Sequence, residues 1–178
     1  MPHAIPLPGQ DFGSSGKAQD RPGPGSYTAP MPYLRLTCAP LPTERKAEIA
    51  RQLTEAVGLL FFSPRGGPTR EELRERTTVH FAETRDEDLY IGGRTVRKRG
   101  RADLTLELSD WNMSARQQRR VARHLTPVLA RLFGLGPGEL EGVNLRFHPY
   151  PPRDFAVGGC LLSDWVPWIG QVMKRLGG

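Results

Sequence analysis

A five-residue pattern occurs twice in this chain and restricts most of what it can fold into. Leu89-Tyr90-Ile91-Gly92-Gly93 returns 66 positions later as Phe155-Ala156-Val157-Gly158-Gly159. Each copy closes a segment with the same order of signals, and a repeat of this length marks a duplicated structural unit. In the first segment Leu34, Leu36 and Cys38 alternate through residues 33–38, and Val79 and Phe81 alternate through 77–82. In the second, Leu104, Leu106 and Leu108 alternate through 103–108, followed later by Val143, Leu145 and Phe147. A period of two is the signature of a strand with one buried face. Between the strands, Ala50, Leu53, Val57 and Leu60 recur at helical steps, as do Val121, Leu125, Val128 and Leu132; each set predicts one amphipathic helix. Thr43 is placed to cap the first helix, with Glu44 in its first turn. Ser114 and Gln117 have capping-box spacing at the start of the second, and Pro127 inside that helix should kink it. A short helical turn is expected over 69–75. A β-α-β unit requires parallel strands and a right-handed crossover. The fold class is therefore α/β (α+β by some schemes): tandem β-α-β units forming a four-stranded sheet with two long helices on one face.

The flanks differ in texture. Residues 1–30 are rich in proline and glycine and lack any apolar period, so they read as a disordered leader or a mis-assigned start. Residues 31–160 read as one domain of two units, about 31–97 and 98–160. Residues 161–178 predict a C-terminal helix, in which Trp165, Trp168, Ile169, Val172, Met173 and Leu176 form a wide apolar stripe. Pro167 fits only its first turn. Such a stripe should dock on the domain or on a neighbouring subunit.

Charge and cysteine usage exclude several functions. The chain carries 25 Lys+Arg against 19 Asp+Glu, a net charge of +6. Its densest basic run, Arg94 to Arg101, has no interleaved aromatics on which bases could stack; it reads as an anion-steering surface, not a nucleic-acid groove. No apolar run approaches the roughly 18 residues of a membrane span, and no secretory signal opens the chain, so a cytoplasmic protein is expected. Cys38 and Cys160 are too few for a metal cluster, and His3, His80, His124 and His148 lack zinc-type spacing. The two cysteines read as ordinary buried thiols, and no metal or cofactor is implied.

The repeat, together with Met31-Pro32 at the head of the first strand, resembles the 4-oxalocrotonate tautomerase group of the tautomerase superfamily, with its tautomerase/MIF-like fold. Pro32-Tyr-Leu-Arg-Leu-Thr matches the family's opening strand, Thr43-Glu-Arg-Lys the helix start, and the two double-glycine segments its hairpins. The order of two units is similar to the fused members, which include cis-3-chloroacrylic acid dehalogenases and malonate semialdehyde decarboxylases. The resemblance implies a homotrimer, and a catalytic proline that becomes the first residue once the initiator methionine is removed. Only the first unit keeps that proline; the second opens Arg101-Ala102-Asp103. The chain departs from the family at its arginine positions. Pro40-Leu41-Pro42 precedes the first helix, Thr78 and Asn144 stand in the second strands, and Asp110 to Met113 replace an arginine pair. The first-helix histidine of the dehalogenases falls at Val57.

What the resemblance implies chemically is a free secondary amine at Pro32. An α-amino group titrates near pH 8, and a pocket that lowers this value lets the amine move a proton between carbon and oxygen at neutral pH. The expected substrate is a small anionic carboxylate with an adjacent carbonyl or unsaturation, held by arginines. Candidate substrate-binding residues are Arg35, His80, Trp111, Asn112, Asn144, Arg146 and Phe155. Arg35 alternates opposite Leu34 and Leu36, and Asn144, Arg146 and His148 share the outward face of the fourth strand. Phe155 matches the family's aromatic wall, and Trp111 and Asn112 fall in the turn where fused members place ligands. The reaction expected is tautomerisation, with dehalogenation, hydration or decarboxylation as relatives. The alternative is a catalytically silent oligomer of the same fold that binds or scaffolds. In the chain as written Pro32 nitrogen is an amide, so catalysis requires that Met31 be the true start or that the leader be removed.

Overall fold

A computed structural model of the chain describes residues 31–64, 68–100 and 103–164. The leader 1–30 and residues 165–178 of the expected C-terminal helix lie outside the described residues. The first unit is β1 (Tyr33–Cys38), α1 (Thr43–Phe61), α2 (Arg70–Arg76), β2 (Thr78–Glu83), a hairpin of β3 (Tyr90–Ile91) and β4 (Arg94–Thr95), and the short α3 (Val96–Arg99). The second is β5 (Leu104–Trp111), α4 (Ala115–Leu132), β6 (Val143–Tyr150) and a hairpin of β7 (Ala156–Val157) and β8 (Cys160–Leu161). Leu162–Asp164 follow as a 3-10 turn. No helix among the described residues is long and apolar enough to cross a membrane.

The sheet runs β2-β1-β5-β6. β1 and β2 are parallel, β5 and β6 are parallel, and the units join through an antiparallel β1–β5 seam. Leu34 faces Leu108 across it and Leu36 faces Leu106; all four are fully buried. The inward residues meet both helices on one face, where Ile49, Leu53 and Val57 of α1 and Val121, Leu125 and Leu129 of α4 are buried. Ile49 and Leu129 carry the stripes more fully than the half-buried Ala50 and Val128. α4 continues past the exposed Pro127. An interior proline costs a helix about 3 kcal/mol, and the leucines buried before and after it offset that cost.

Side chains cap three of the four described helices, Thr95 doing so for the short α3 by accepting from the Lys98 N–H. Ser114 and Gln117 close a capping box on α4, and Thr69 and Glu72 do the same on α2. The expectation for Thr43 is corrected: Pro42 stands at the N-cap of α1 without a side-chain bond, and Thr43 is already helical. Pro42 has φ −58 and ψ 151; its ring sets that φ, and the extended ψ places the turn into the helix one residue early. The double glycines are explained by backbone shape. Gly92, Gly93, Gly158 and Gly159 have φ of 59, 73, 57 and 81, the two consecutive positive values that a tight two-residue hairpin turn demands.

Leu36 sits at the centre of the seam with no solvent contact. Leu36→Ala should lower the unfolding free energy by about 2–5 kcal/mol, read by urea denaturation as a lower midpoint at unchanged slope. A loss under about 1 kcal/mol would contradict this placement of the core.

Candidate functional site

The antiparallel seam brings the head of β1 to the end of β5. Extending the register one step beyond Tyr33↔Ser109 sets Pro32 opposite Asp110. Pro32 is buried, and its carbonyl accepts a bond from Thr78 N–H at 3.0 Å. The Met31 N–H donates to Asp110 Oδ1 at 3.2 Å, and Asp110 has no solvent exposure. Around this pair lies a small apolar cluster of Trp111 and Leu162, with Met31, Tyr150 and Phe155 against it. Tyr150 and Phe155 stack with ring centres 5.6 Å apart. Burial, and then the Asp110 charge, push the Tyr150 phenol well above its ordinary range, so it stays a neutral hydroxyl at any physiological pH.

Asn112 follows directly, with its N–H donating to Tyr150 carbonyl at 2.8 Å. Its φ of 48 is, among the described residues, the one positive value outside glycine, a conformation asparagine tolerates better than most. Only 8% exposed, Asn112 has a buried Nδ2 with no hydrogen-bond partner among the described residues. A buried donor without an acceptor is costly and calls for an occupant. Asn112 also lines a groove of about 470 Å³ with Ser114, Tyr150, Pro151 and Arg153. Arg153 is largely exposed and lies 3.7 Å from Asp154.

Pro32, Trp111, Asn112 and Phe155 are thus gathered at one end of the sheet. Arg35, His80, Asn144 and Arg146 occupy the open face opposite the helices. There His80, Arg35, Glu107 and Arg146 are successive neighbours across four strands. Tyr33 hydroxyl and His80 Nδ1 are 2.7 Å apart, and Arg35 reaches Glu107 at 3.5 Å. Three site residues were not anticipated: Asp110, Tyr150 and Arg153. Asp110 had a legible signal, since it continues the inward phase of Leu104, Leu106 and Leu108 as a carboxylate.

The far end of the sheet carries the counterpart of this site at the head of the second unit. A cavity of about 190 Å³ is lined there by Cys38, Leu41, Leu89, Leu104, Phe133 and Leu135, among others. Cys38 is 3% exposed. Burial first, then Glu83 and against Lys46, pushes its thiol up to about 11. Cys160 is half-buried, not buried as expected.

No family model matches the sequence, and no curated protein matches it at a significant level. Solved structures do match. A native fused 4-OT superposes with TM-score 0.59 at 19% identity, over 74% of this chain and 97% of that one. The wild-type F6 fused 4-OT, an asymmetric trimer, gives 0.57 at 16% identity with the same coverage. N1, a member of the cis-3-chloroacrylic acid dehalogenase family, gives 0.55 at 17% identity over 81% of this chain and 96% of that one. At these identities the likeness establishes the fold.

A thiol held near 11 is almost entirely protonated at pH 8 and a poor nucleophile. Iodoacetamide at pH 8 should therefore label Cys160 before Cys38 in the native protein, by peptide mass spectrometry. Cys38 labelling should accelerate only as pH approaches 11 or on unfolding; labelling in the reverse order would refute this.

Proposed function

We propose that this chain, whose fold is that of the fused tautomerase-superfamily proteins, works from a free Pro32 amine as a general acid/base on a small keto- or unsaturated carboxylate. The observation that carries the reading is the head of β1: a buried proline opposite a buried carboxylate, beside a buried amide donor with no acceptor among the described residues. Asn112 Nδ2 supplies one hydrogen bond to the substrate carboxylate, and the Arg153 guanidinium on the same groove supplies a charge-assisted one. Trp111, Tyr150 and Phe155 wall the carbon skeleton and keep water from it. The reaction needs one proton moved at carbon and one at oxygen, so the chain draws on no cofactor.

Assembly supplies the remaining candidates. The open sheet face with Arg35, His80, Asn144 and Arg146 is read as the surface through which copies meet in a trimer, with these residues reaching the edge of a neighbour's site. The trimeric state of the F6 fused 4-OT supports this reading. Their cross-strand charges alternate along Arg35, Glu107 and Arg146, a pattern suited to a contact that must stay ordered.

In the chain as written, Met31 acylates Pro32, and that nitrogen has neither a proton nor a usable lone pair. Removal of residues 1–31 restores both. Protein beginning at Pro32 should ketonise phenylenolpyruvate, followed by ultraviolet absorbance. Pro32→Ala should reduce kcat/KM by at least about 100-fold, and Asn112→Gly, which keeps the left-handed backbone, should raise KM more than it lowers kcat. The full chain should be silent. Equal rates for protein beginning at Pro32 and for its Pro32→Ala variant end the proposal, and no rate in any form leaves the fold as a binding or scaffold protein.

A further inference from the structure

We infer that the apolar cavity at the far end of the sheet is a binding site for a small uncharged molecule, one aromatic ring in size, separate from the Pro32 end and opposite to it in chemistry. Its volume is about 190 Å³. An apolar cavity of about 150 Å³ admits benzene in a folded protein, and one without polar partners stays free of water. Cys38 and Leu104, each 3% exposed, are the most deeply buried of the residues that line it. Leu41, Leu89, Val96, Phe133 and Leu135 close the sides and are each half-buried. Apolar surface from five side chains therefore converges on one space that the described residues leave unfilled.

The walls are fastened segment by segment, which keeps the space open. Ahead of α1, the Leu41 N–H donates to Glu83 Oε1 at 2.6 Å, and Lys46 meets the same oxygen at 3.0 Å. The Thr84 N–H donates to the Cys38 carbonyl at 2.9 Å. Across the first hairpin, the Val96 N–H donates to the Leu89 carbonyl at 3.3 Å. Past α4, the Leu135 N–H donates to the Ala130 carbonyl at 2.8 Å. Collapse of any wall into the cavity would strain or break one of these bonds and leave a polar group without its partner. A preformed apolar hollow of this kind is how a small ligand is received.

The chemistry of the lining selects against charge. Cys38 is held as a neutral thiol at physiological pH, by burial first and then by Glu83, against Lys46. The same burial and the same carboxylate oppose an anionic group in the ligand. The charged residues that line the cavity are the exposed Arg85 and Asp86 and the half-buried Asp103, one cation against two anions. They also interrupt the apolar surface where the cavity opens. That boundary suits a molecule that fits inside, and not a helix or a second copy laid across the opening, which would bury those charges. The groove near Pro32 contrasts at each point, with Asn112 and Arg153 as donors for a carboxylate.

The full chain is the object of the test, so the outcome does not depend on whether Pro32 is ever freed. Leucine and valine methyls are labelled with carbon-13, and the protein is titrated with toluene and with benzoate, which carries a carboxylate in place of the methyl group. Toluene should shift the methyls of Leu41, Leu89, Val96 and Leu104 and give ring-to-methyl NOEs at them. Near saturation it should raise the thermal midpoint by a few degrees. Benzoate should bind at least about 10-fold more weakly. Val96→Phe, which adds bulk from a half-buried wall, should weaken toluene binding by at least about 10-fold; if that variant does not fold, the wild-type NOEs decide alone. No shift up to the solubility of toluene overturns the inference. Shifts confined to Leu162 at the other end, or benzoate binding as tightly as toluene, do the same. So do NOEs from these methyls to the ring of Trp165 or Trp168 in ligand-free protein, which would make the cavity a seat for the chain's own C-terminal segment.

Discussion

The antiparallel seam between β1 and β5 sustains both the core and the site. Leu34, Leu36, Leu106 and Leu108 meet across it without solvent contact, and they anchor the helices above. A register slip of one residue would turn these leucines outward. A slip of two would keep them inward and yet carry Asp110 away from Pro32. The packing that excludes the first slip is generic to any two-layer sheet. In the chain as written, excluding the second falls to groups at the ends of the strands, such as the Met31–Asp110 bond and the packing of Met31 on the Trp111 and Leu162 cluster. Site geometry is therefore tied to the same hydrogen-bond ladder that closes the core.

Duplication makes two ends, and the side chains make them unlike. By register, Asp110 stands against Pro32 at one end and Cys38 against Leu104 at the other. The backbone frame is shared, down to the positive-φ glycine pairs of both hairpins. One end holds a charge-bearing group opposite a proline and a buried amide donor. The other is an apolar cavity over a thiol that burial keeps protonated. A fold repeated within one chain can thus divide its labour without altering topology, because a single inward position in each unit decides whether the end is charged or apolar.

Much of the architecture was legible in local pattern. The strands of alternating leucine, the Ser114 capping box and the two glycine-paired hairpins each rest on interactions within a few residues, and each is present. The cap at Thr43 was misread because proline geometry at Pro42 competes with side-chain capping, and the backbone restraint prevailed. The candidate site residues read from the sequence divide between two places. Trp111, Asn112 and Phe155 do gather near Pro32, while Arg35, His80, Asn144 and Arg146 occupy the open sheet face. Asp110, Tyr150 and Arg153 went unread because their significance arises from the β1–β5 register and the return of the chain after β6. Those are long-range facts that alternation alone does not encode. The inward phase of Asp110 was visible, but a lone carboxylate in a leucine row has meaning only once its partner across the seam is known.

The charge balance of the site constrains its ligand further. On the proposed function, a free Pro32 amine beside the buried Asp110 carboxylate would be close to neutral as a unit and would give a carboxylate substrate little net attraction. On that reading, attraction would come from Asn112, whose Nδ2 has no acceptor among the described residues, and from Arg153 on the groove wall. The departures at the family's arginine positions and the presence of Asp110 then belong together. On the proposed function, the amine and its neighbouring carboxylate would lie inward, and the substrate-holding charge would sit outward at the rim. There a guanidinium remains hydrated until the substrate arrives, and no second buried cation has to be desolvated beside the first.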